Sequence, residues 1–495
     1  MRVAIVGAGF SGIAMAIALR REGIEDFTIF ERAESLGGVW HHNTYPGAAC
    51  DVPSYLYSYS YEQRRDWTQP CSSQAEILDY LHETARKHGV IDRVRTGTEV
   101  ELAEFDDASA RWSLRTSTGE RFEADALVLA CGQLSRPRRP SIPGAGEFGG
   151  HSFHSAEWDH DYDLAGKRVA VIGTGASAVQ FVPPVAERAA HLDVYQRSAP
   201  YVLPRNNGEY PPLVRRLIAS LPGLQAARRY GMWAFMETFV AGLTRIRPLG
   251  WLLRAWCTTF MRSQLDDPEV RRKAWPDYPF GCKRILFSSD YLPALQRSDV
   301  ELVTDEISRI TSAGVITADG REREVDCIVY GTGFRSNDFV VPMRVTGAGG
   351  RELQAAWSEG AEAHLGIAVS GFPNMFVLYG PNTNLGVGSI IVMIEAQVRY
   401  AIDALRTARR AGAALDVRPE VQRTSSERVQ ERLRASVWAS CRNWYRQEGT
   451  GRVVNNWPGF MFEYVRATRA IRPEEFREVR PAVAAGESGE PVLAP

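Results

Sequence analysis

Val3-Ala4-Ile5-Val6-Gly7-Ala8-Gly9-Phe10-Ser11-Gly12 is the stretch whose reading decides the fold. The short apolar run reads as a buried strand, and Ile13 to Glu22 reads as a helix stopped by Gly23. Thr28-Ile29-Phe30 is then a second strand ending at Glu31. Gly7 permits the tight turn, Gly9 lets the backbone approach a pyrophosphate, and Gly12 allows the helix to pack closely on the strand. The helix N-terminus, opening at Phe10 and Ser11, adds a positive dipole. Glu31 lies 19 residues beyond Gly12, where its carboxylate can accept hydrogen bonds from ribose hydroxyls, and Arg32 follows it. Strand, G-x-G-x-x-G, helix, strand and acidic residue together make a dinucleotide half-site, which a glycine motif alone would not.

The pattern recurs. Arg168-Val169-Ala170-Val171-Ile172 is a strand, Gly173-Thr174-Gly175-Ala176-Ser177-Ala178 a second turn, 179–190 a helix and Leu192-Asp193-Val194-Tyr195 the next strand. Ala178 replaces the third glycine, a change the motif tolerates. The informative difference is at the strand end, where Gln196-Arg197-Ser198 stands in place of Glu31. A carboxylate repels a 2′-phosphate and a guanidinium pairs with one, so the second site suits NADPH.

Two more apolar strands run into glycine turns, Ala126 to Gly132 and Asp326 to Gly333, and such turns suit a chain leaving a parallel sheet or approaching a cofactor, which makes Thr332 and Gly333 candidate cofactor-binding residues. Placing them at the crossings between units predicts an α/β protein with two Rossmann-like dinucleotide-binding domains. Residues 1–145 and 325–480 form a discontinuous first dinucleotide domain, and 146–324 form an inserted NADP domain with a helical insertion at about 205–275. The tail 481–495, rich in Ala, Gly, Glu and Pro, reads as disordered.

The 495 residues carry 58 Lys+Arg against 59 Asp+Glu, a balance without the basic excess that a nucleic-acid partner demands. Seven scattered cysteines with no C-x-x-C spacing argue against a disulfide scaffold, a zinc site and a redox dithiol, so no metal is expected. No signal-peptide pattern opens the chain and no apolar run spans a bilayer, which reads as a cytoplasmic protein. The nearest approach is 230–262, where Trp233, Phe235, Trp251 and Leu252 alternate with Arg245, Arg247 and Arg254. Two readings fit it, an interfacial amphipathic segment or, the one favoured, a helical insertion packed on the body with its arginines solvated.

Two dinucleotide sites in one chain describe a flavin reduced by a nicotinamide. With no dithiol to take the electrons, O2 is the leading acceptor.

Phe148-Gly149-Gly150-His151-Ser152-Phe153-His154-Ser155-Ala156-Glu157-Trp158-Asp159 matches F-x-G-x-x-x-H-x-x-x-W-[PD], and Gly37-Gly38-Val39-Trp40 through Tyr45-Pro46-Gly47 to Asp51 matches G-G-x-W-x-x-x-x-[FY]-P-G-x-x-x-D. With both glycine motifs the chain resembles the type I flavin-dependent Baeyer–Villiger monooxygenases from residue 1 to about 470. The resemblance implies FAD in the first unit, NADPH in the second, and insertion of one oxygen atom from O2 beside a ketone carbonyl through a flavin peroxide. It implies that Arg284 is the catalytic arginine, Asp51 its partner and Lys283, with Arg197 and Ser198, the 2′-phosphate site. Gly38, Val39, Trp40 and Tyr45 are implied at the flavin, and Trp444 near the nicotinamide or substrate. His154 is implied to orient the interdomain linker, not to act as a base. Gly380-Pro381-Asn382-Thr383 and Gly281-Cys282-Lys283-Arg284 look more like the arylketone branch than the cyclohexanone branch.

Adjacent side chains of an extended segment point opposite ways, so Lys283 can serve a phosphate while Arg284 serves a flavin. The competing readings are a flavin-containing N- or S-oxidising monooxygenase and a non-catalytic FAD/NADP-binding sensor or uncoupled NADPH oxidase. The substrate and the oligomeric state are outside what the sequence holds.

Overall fold

The structure is a computed structural model and describes residues 1–482. Two all-parallel, five-stranded sheets organise it. In the first, Val3–Val6 is central, flanked by Phe27–Phe30 and Ala126–Leu129, with Val94–Arg95 and Met375–Val377 outside them. In the second, Arg168–Ile172 is central, flanked by His191–Tyr195 and Cys327–Tyr330, with Val300–Val303 and His151–His154 outside. Val3, Ile5, Val169 and Val171 are wholly buried, as strands covered on both faces require. The helix Phe10–Arg21 covers one face of the first sheet and is itself covered by Ile390–Ala411.

Three differences from the sequence reading have physical causes. The strand Cys327–Tyr330, assigned with the first unit from residue 325, pairs with Arg168–Ile172 in the second sheet. Its apolar run is of the same character as Ala126–Leu129, so the strand was legible but its sheet was not. The second helix is Ala178–Ala186, shorter than 179–190. It contains Pro183 and Pro184, which bring no N–H to its ladder, and by Ala190 the backbone is already bonded to Lys167 on its way into His191–Tyr195. Of the tail expected to be disordered, Ala482 is described and donates its N–H to Ala108 at 3.0 Å, while 483–495 lie outside the described residues.

The two crossings between sheets run side by side, with Arg138 N–H donating to Gly333 and Arg335 N–H to Arg136. The helical insertion comprises Pro212–Ser220, Pro222–Thr244, Arg247–Gln264 and Pro268–Lys273. Its inner face is packed: Leu253, Cys257 and Met261, one turn apart, are buried against the body. Buried Arg229 donates to the carbonyls of Tyr55 and Ser58 and faces Glu395 at 3.7 Å, which fastens the insertion to the first unit. Among the described residues no helix is long and apolar enough to cross a membrane.

Candidate active site

The first turn is enclosed. A Cβ on Gly12 would lie 1.9 Å from the Gly7 carbonyl oxygen, so no larger residue permits this approach of helix to turn. A Cβ on Gly38 would lie 3.1 Å from the Gly9 Cα, which means that the loop leading to Val39 and Trp40 passes the turn at backbone distance. Phe10 and Ser11 are buried in the first helical turn. Glu31 is 6% exposed and accepts N–H bonds from Ala8 at 2.8 Å and Ala33 at 3.0 Å. Each carboxylate oxygen keeps acceptor capacity for a ribose hydroxyl. Arg32 donates to the Ser135 carbonyl and so ties this edge to the neighbouring crossing. Trp40 Nε1 donates to Tyr57 Oη at 3.3 Å, and the two rings meet edge to face. A backbone cradle with a buried carboxylate at its end fits the adenosine half of FAD.

The second turn is open where the first is closed. A Cβ on Gly173 would lie 2.4 Å from the Gly331 carbonyl, repeating the close strand crossing, but a Cβ on Gly175 would meet nothing within 4 Å. Thr174, Ala176 and Ser177 line this open turn, and Thr174 Oγ1 donates to the Ser198 carbonyl at 3.1 Å. Lys283 Nζ donates to Ser198 Oγ at 2.7 Å and lies over the Tyr278 ring. Burial first, and then the charge of Arg197, lower the Lys283 pKa below the ordinary lysine value. Two cations held close enough to disfavour each other form a site chemically matched to a 2′-phosphate dianion. Thr332 and Gly333 lie in the paired crossing, where the Thr332 hydroxyl bonds the Arg138 carbonyl and the Gly333 carbonyl accepts the Arg138 N–H.

Arg284 and Asp51 meet between the units. Arg284 Nη2 donates to Asp51 Oδ2 at 2.6 Å and Oδ1 at 2.8 Å, and Nε reaches Oδ2 at 3.3 Å. The carboxylate raises the Arg284 pKa further, so the guanidinium is permanently charged. Burial pushes the Tyr445 hydroxyl up to about 12, with the Arg284 charge opposing. Tyr379, raised by the same burial and lowered by the same arginine, donates to Asn384 Oδ1 at 2.6 Å, and Asn384 Nδ2 donates to Asn456 Oδ1 at 2.8 Å. Both phenols are therefore neutral beside a cation. Trp444, half-buried, packs on Tyr445 at 4.3 Å.

Several residues here carried no sequence signal. Gln180, on the second unit's helix, accepts from Tyr45 Oη at 3.0 Å and from the Ala49 N–H at 3.3 Å, and donates to the Ala49 carbonyl at 3.0 Å. It stitches the loop carrying Tyr45 and Asp51 to the second unit, as does Arg205 through the Cys50 carbonyl at 2.9 Å. Cys282 and Cys441 form a disulfide, which corrects the expectation drawn from cysteine spacing. It joins the Lys283-Arg284 segment to the Trp444 loop across a separation of 159 residues that no local spacing reveals. His154 is fully buried, its Nδ1 accepts the Ala156 N–H, and burial lowers its pKa. Its ring meets Phe334 on the paired crossing, and Trp158 packs on Phe153 and Phe181. Such contacts suit a linker-orienting part.

Residues 4–207 match the family described as pyridine nucleotide-disulphide oxidoreductase. A Baeyer–Villiger monooxygenase of Pseudomonas aeruginosa is 43% identical over 94% of this chain and 89% of its own length. One from Streptomyces coelicolor is also 43% identical, over 98% and 94%. Among solved structures, an oxidized steroid monooxygenase bound to NADP aligns with a TM-score of 0.86 at 31% identity, covering 97% of this chain and 99% of that one. A closed cyclohexanone monooxygenase gives 0.87 at 26% identity, over 96% and 98%. Whole-length likeness of this degree, on a chain with two dinucleotide turns and a charged pair between them, shows that the protein belongs to the Baeyer–Villiger monooxygenase family.

Proposed function

We propose that Arg284, held by Asp51, is the group that stabilises oxygen insertion in an NADPH- and O2-dependent Baeyer–Villiger oxidation of an apolar ketone to an ester or lactone. FAD, when bound and reduced by NADPH, supplies the electrons that activate O2. The chain supplies the rest. The second turn, Arg197, Ser198 and Lys283 hold NADPH by its phosphates. Glu31 and the enclosed first turn hold the flavin's adenosine end. As the ketone is attacked, negative charge develops on its carbonyl oxygen, and a preorganised guanidinium is worth most there. Asp51 keeps the guanidinium in place without ever removing its charge. One oxygen atom enters the product and the other leaves as water.

The observation that supports this reading best is the bidentate Arg284–Asp51 pair between the two turns. A sensor has no use for an oxyanion partner at that position. Tyr445, buried, and Tyr57 and Tyr379, half-buried, are neutral near the pair and support an apolar or aromatic ketone as substrate. A cytoplasmic location belongs to the same reading, supported by its demand for NADPH. The test is turnover of a panel of ketones and thioethers by the FAD-loaded protein under isotopically labelled O2, with mass spectrometry of products. Esters or lactones with one labelled oxygen are expected. Sulfoxides alone would move the protein to heteroatom oxidation.

A further inference from the structure

Among the described residues, nine of the ten large hydrophobic side chains that stand exposed lie between residues 213 and 256. Trp251 is 79% exposed, Leu213 77%, Leu252 68% and Tyr230 66%. The helix Pro212–Ser220 is built in reverse of a surface helix: Leu213, Leu217 and Leu221, spaced one turn apart, face water while Ile218 is buried. On Arg247–Gln264, Leu253, Cys257 and Met261 take the body, so Trp251, Leu252 and Ala255 fall on the opposite side. The three long helices pack in series, Pro212–Ser220 on Pro222–Thr244 and that helix on Arg247–Gln264. Scattered single hydrophobics need no explanation, but a concentration of this kind does.

The same segment has a charge of its own. Residues 212–264 hold eight arginines and one glutamate, within a chain whose net charge is −1. Arg216, Arg247, Arg254 and Arg262 are exposed. Tryptophan, tyrosine and leucine interleaved with arginine are the composition of a surface that settles at the boundary of acyl chains and headgroups. We propose that the outer face of this helical insertion is a docking surface for a bilayer containing anionic lipid, with Trp251, Leu252, Leu213 and Leu217 entering the boundary and the arginines pairing with headgroup phosphates. A second copy of the chain fits less well, because a two-fold contact would set this arginine-rich face against itself. The arrangement is peripheral, since no described helix spans a bilayer. It would bring the enzyme to a store of apolar molecules, and it stands independently of the proposed ketone chemistry.

Flotation of the full-length, FAD-loaded protein with phosphatidylcholine vesicles, with and without phosphatidylglycerol, tests it. The protein is expected to float with the anionic vesicles and to be released by raised salt. Trp251→Ser with Leu252→Ser should weaken binding roughly thirtyfold or more, from the apolar area withheld from the boundary. Arg216→Glu with Arg247→Glu should weaken it by about fivefold or more per arginine. Both changes are at exposed positions, so FAD content and turnover of a water-miscible ketone should be unchanged. Leu213→Ser with Leu217→Ser provides a second apolar variant should the first fold poorly. Failure to float with anionic vesicles, equal binding without phosphatidylglycerol, or binding indifferent to these substitutions would overturn the proposal. So would a concentration-dependent dimer, seen by light scattering without vesicle binding and lost in the Trp251/Leu252 variant, since it would give the face to a second copy.

Discussion

The two glycine turns share one construction and differ in what faces them. Around the first, the Gly38 backbone closes over Gly9 and a buried carboxylate, Glu31, ends the neighbouring strand. Around the second, a Cβ at Gly175 would meet nothing within 4 Å, and Arg197, with Lys283 reaching in beside it, follows the corresponding strand. An enclosed turn suits a group that stays, and an open one suits a group that enters and leaves in every cycle. The charge at the strand end then decides which dinucleotide each will take. Between them lies a part that neither turn contains by itself, the Arg284–Asp51 pair.

Breaking that seam should have the largest effect. Asp51→Ala leaves a partly buried guanidinium without its carboxylate, and ester formation should fall by about a hundredfold or more, with flavin reduction by NADPH far less affected. Stopped-flow reduction measured beside product yield checks the split. Arg197→Glu makes the second turn resemble the first. Its KM for NADPH should rise by roughly fiftyfold with that for NADH little changed, inverting the coenzyme preference.

Lys283 sharpens the same contrast through pH. A lysine whose pKa lies below the ordinary value is charged at low pH and loses its charge earlier as pH rises. NADPH affinity should therefore weaken with rising pH at a point below where an unperturbed lysine titrates, and Lys283→Arg should remove that dependence. Glu31→Gln removes charge but keeps shape at the first turn, and should loosen FAD by about tenfold, read as apoprotein after gel filtration. Gln180→Ala cuts the stitch between the Tyr45 loop and the second unit. A loss of about threefold in turnover with intact FAD binding is expected, from hydrogen bonds each worth about 1 kcal/mol.

The comparison also shows what kind of information a sequence carries. Both strand–turn–helix units were legible because their signals lie within about thirty residues of one another, the span of one βαβ unit. The charge difference between Glu31 and Arg197 was legible for the same reason. Arg284 and Asp51 are 233 residues apart, and only the family resemblance named them as partners. Gln180, Arg205 and the Cys282–Cys441 link were not legible at all, since one glutamine, one arginine or two distant cysteines have no pattern until the sheets are placed. The strand Cys327–Tyr330 is the instructive middle case. Its apolar run announces a buried parallel strand, but nothing in four apolar residues says which of two similar sheets it joins.

The central claim is that Arg284 serves oxygen insertion and not the delivery of electrons. The direct measurement is the ratio of ester formed to NADPH consumed by Arg284→Ala, with hydrogen peroxide quantified in the same reaction. The account predicts continued NADPH oxidation, peroxide in place of ester, and a ratio near zero. Ester formation close to the unsubstituted rate would contradict it.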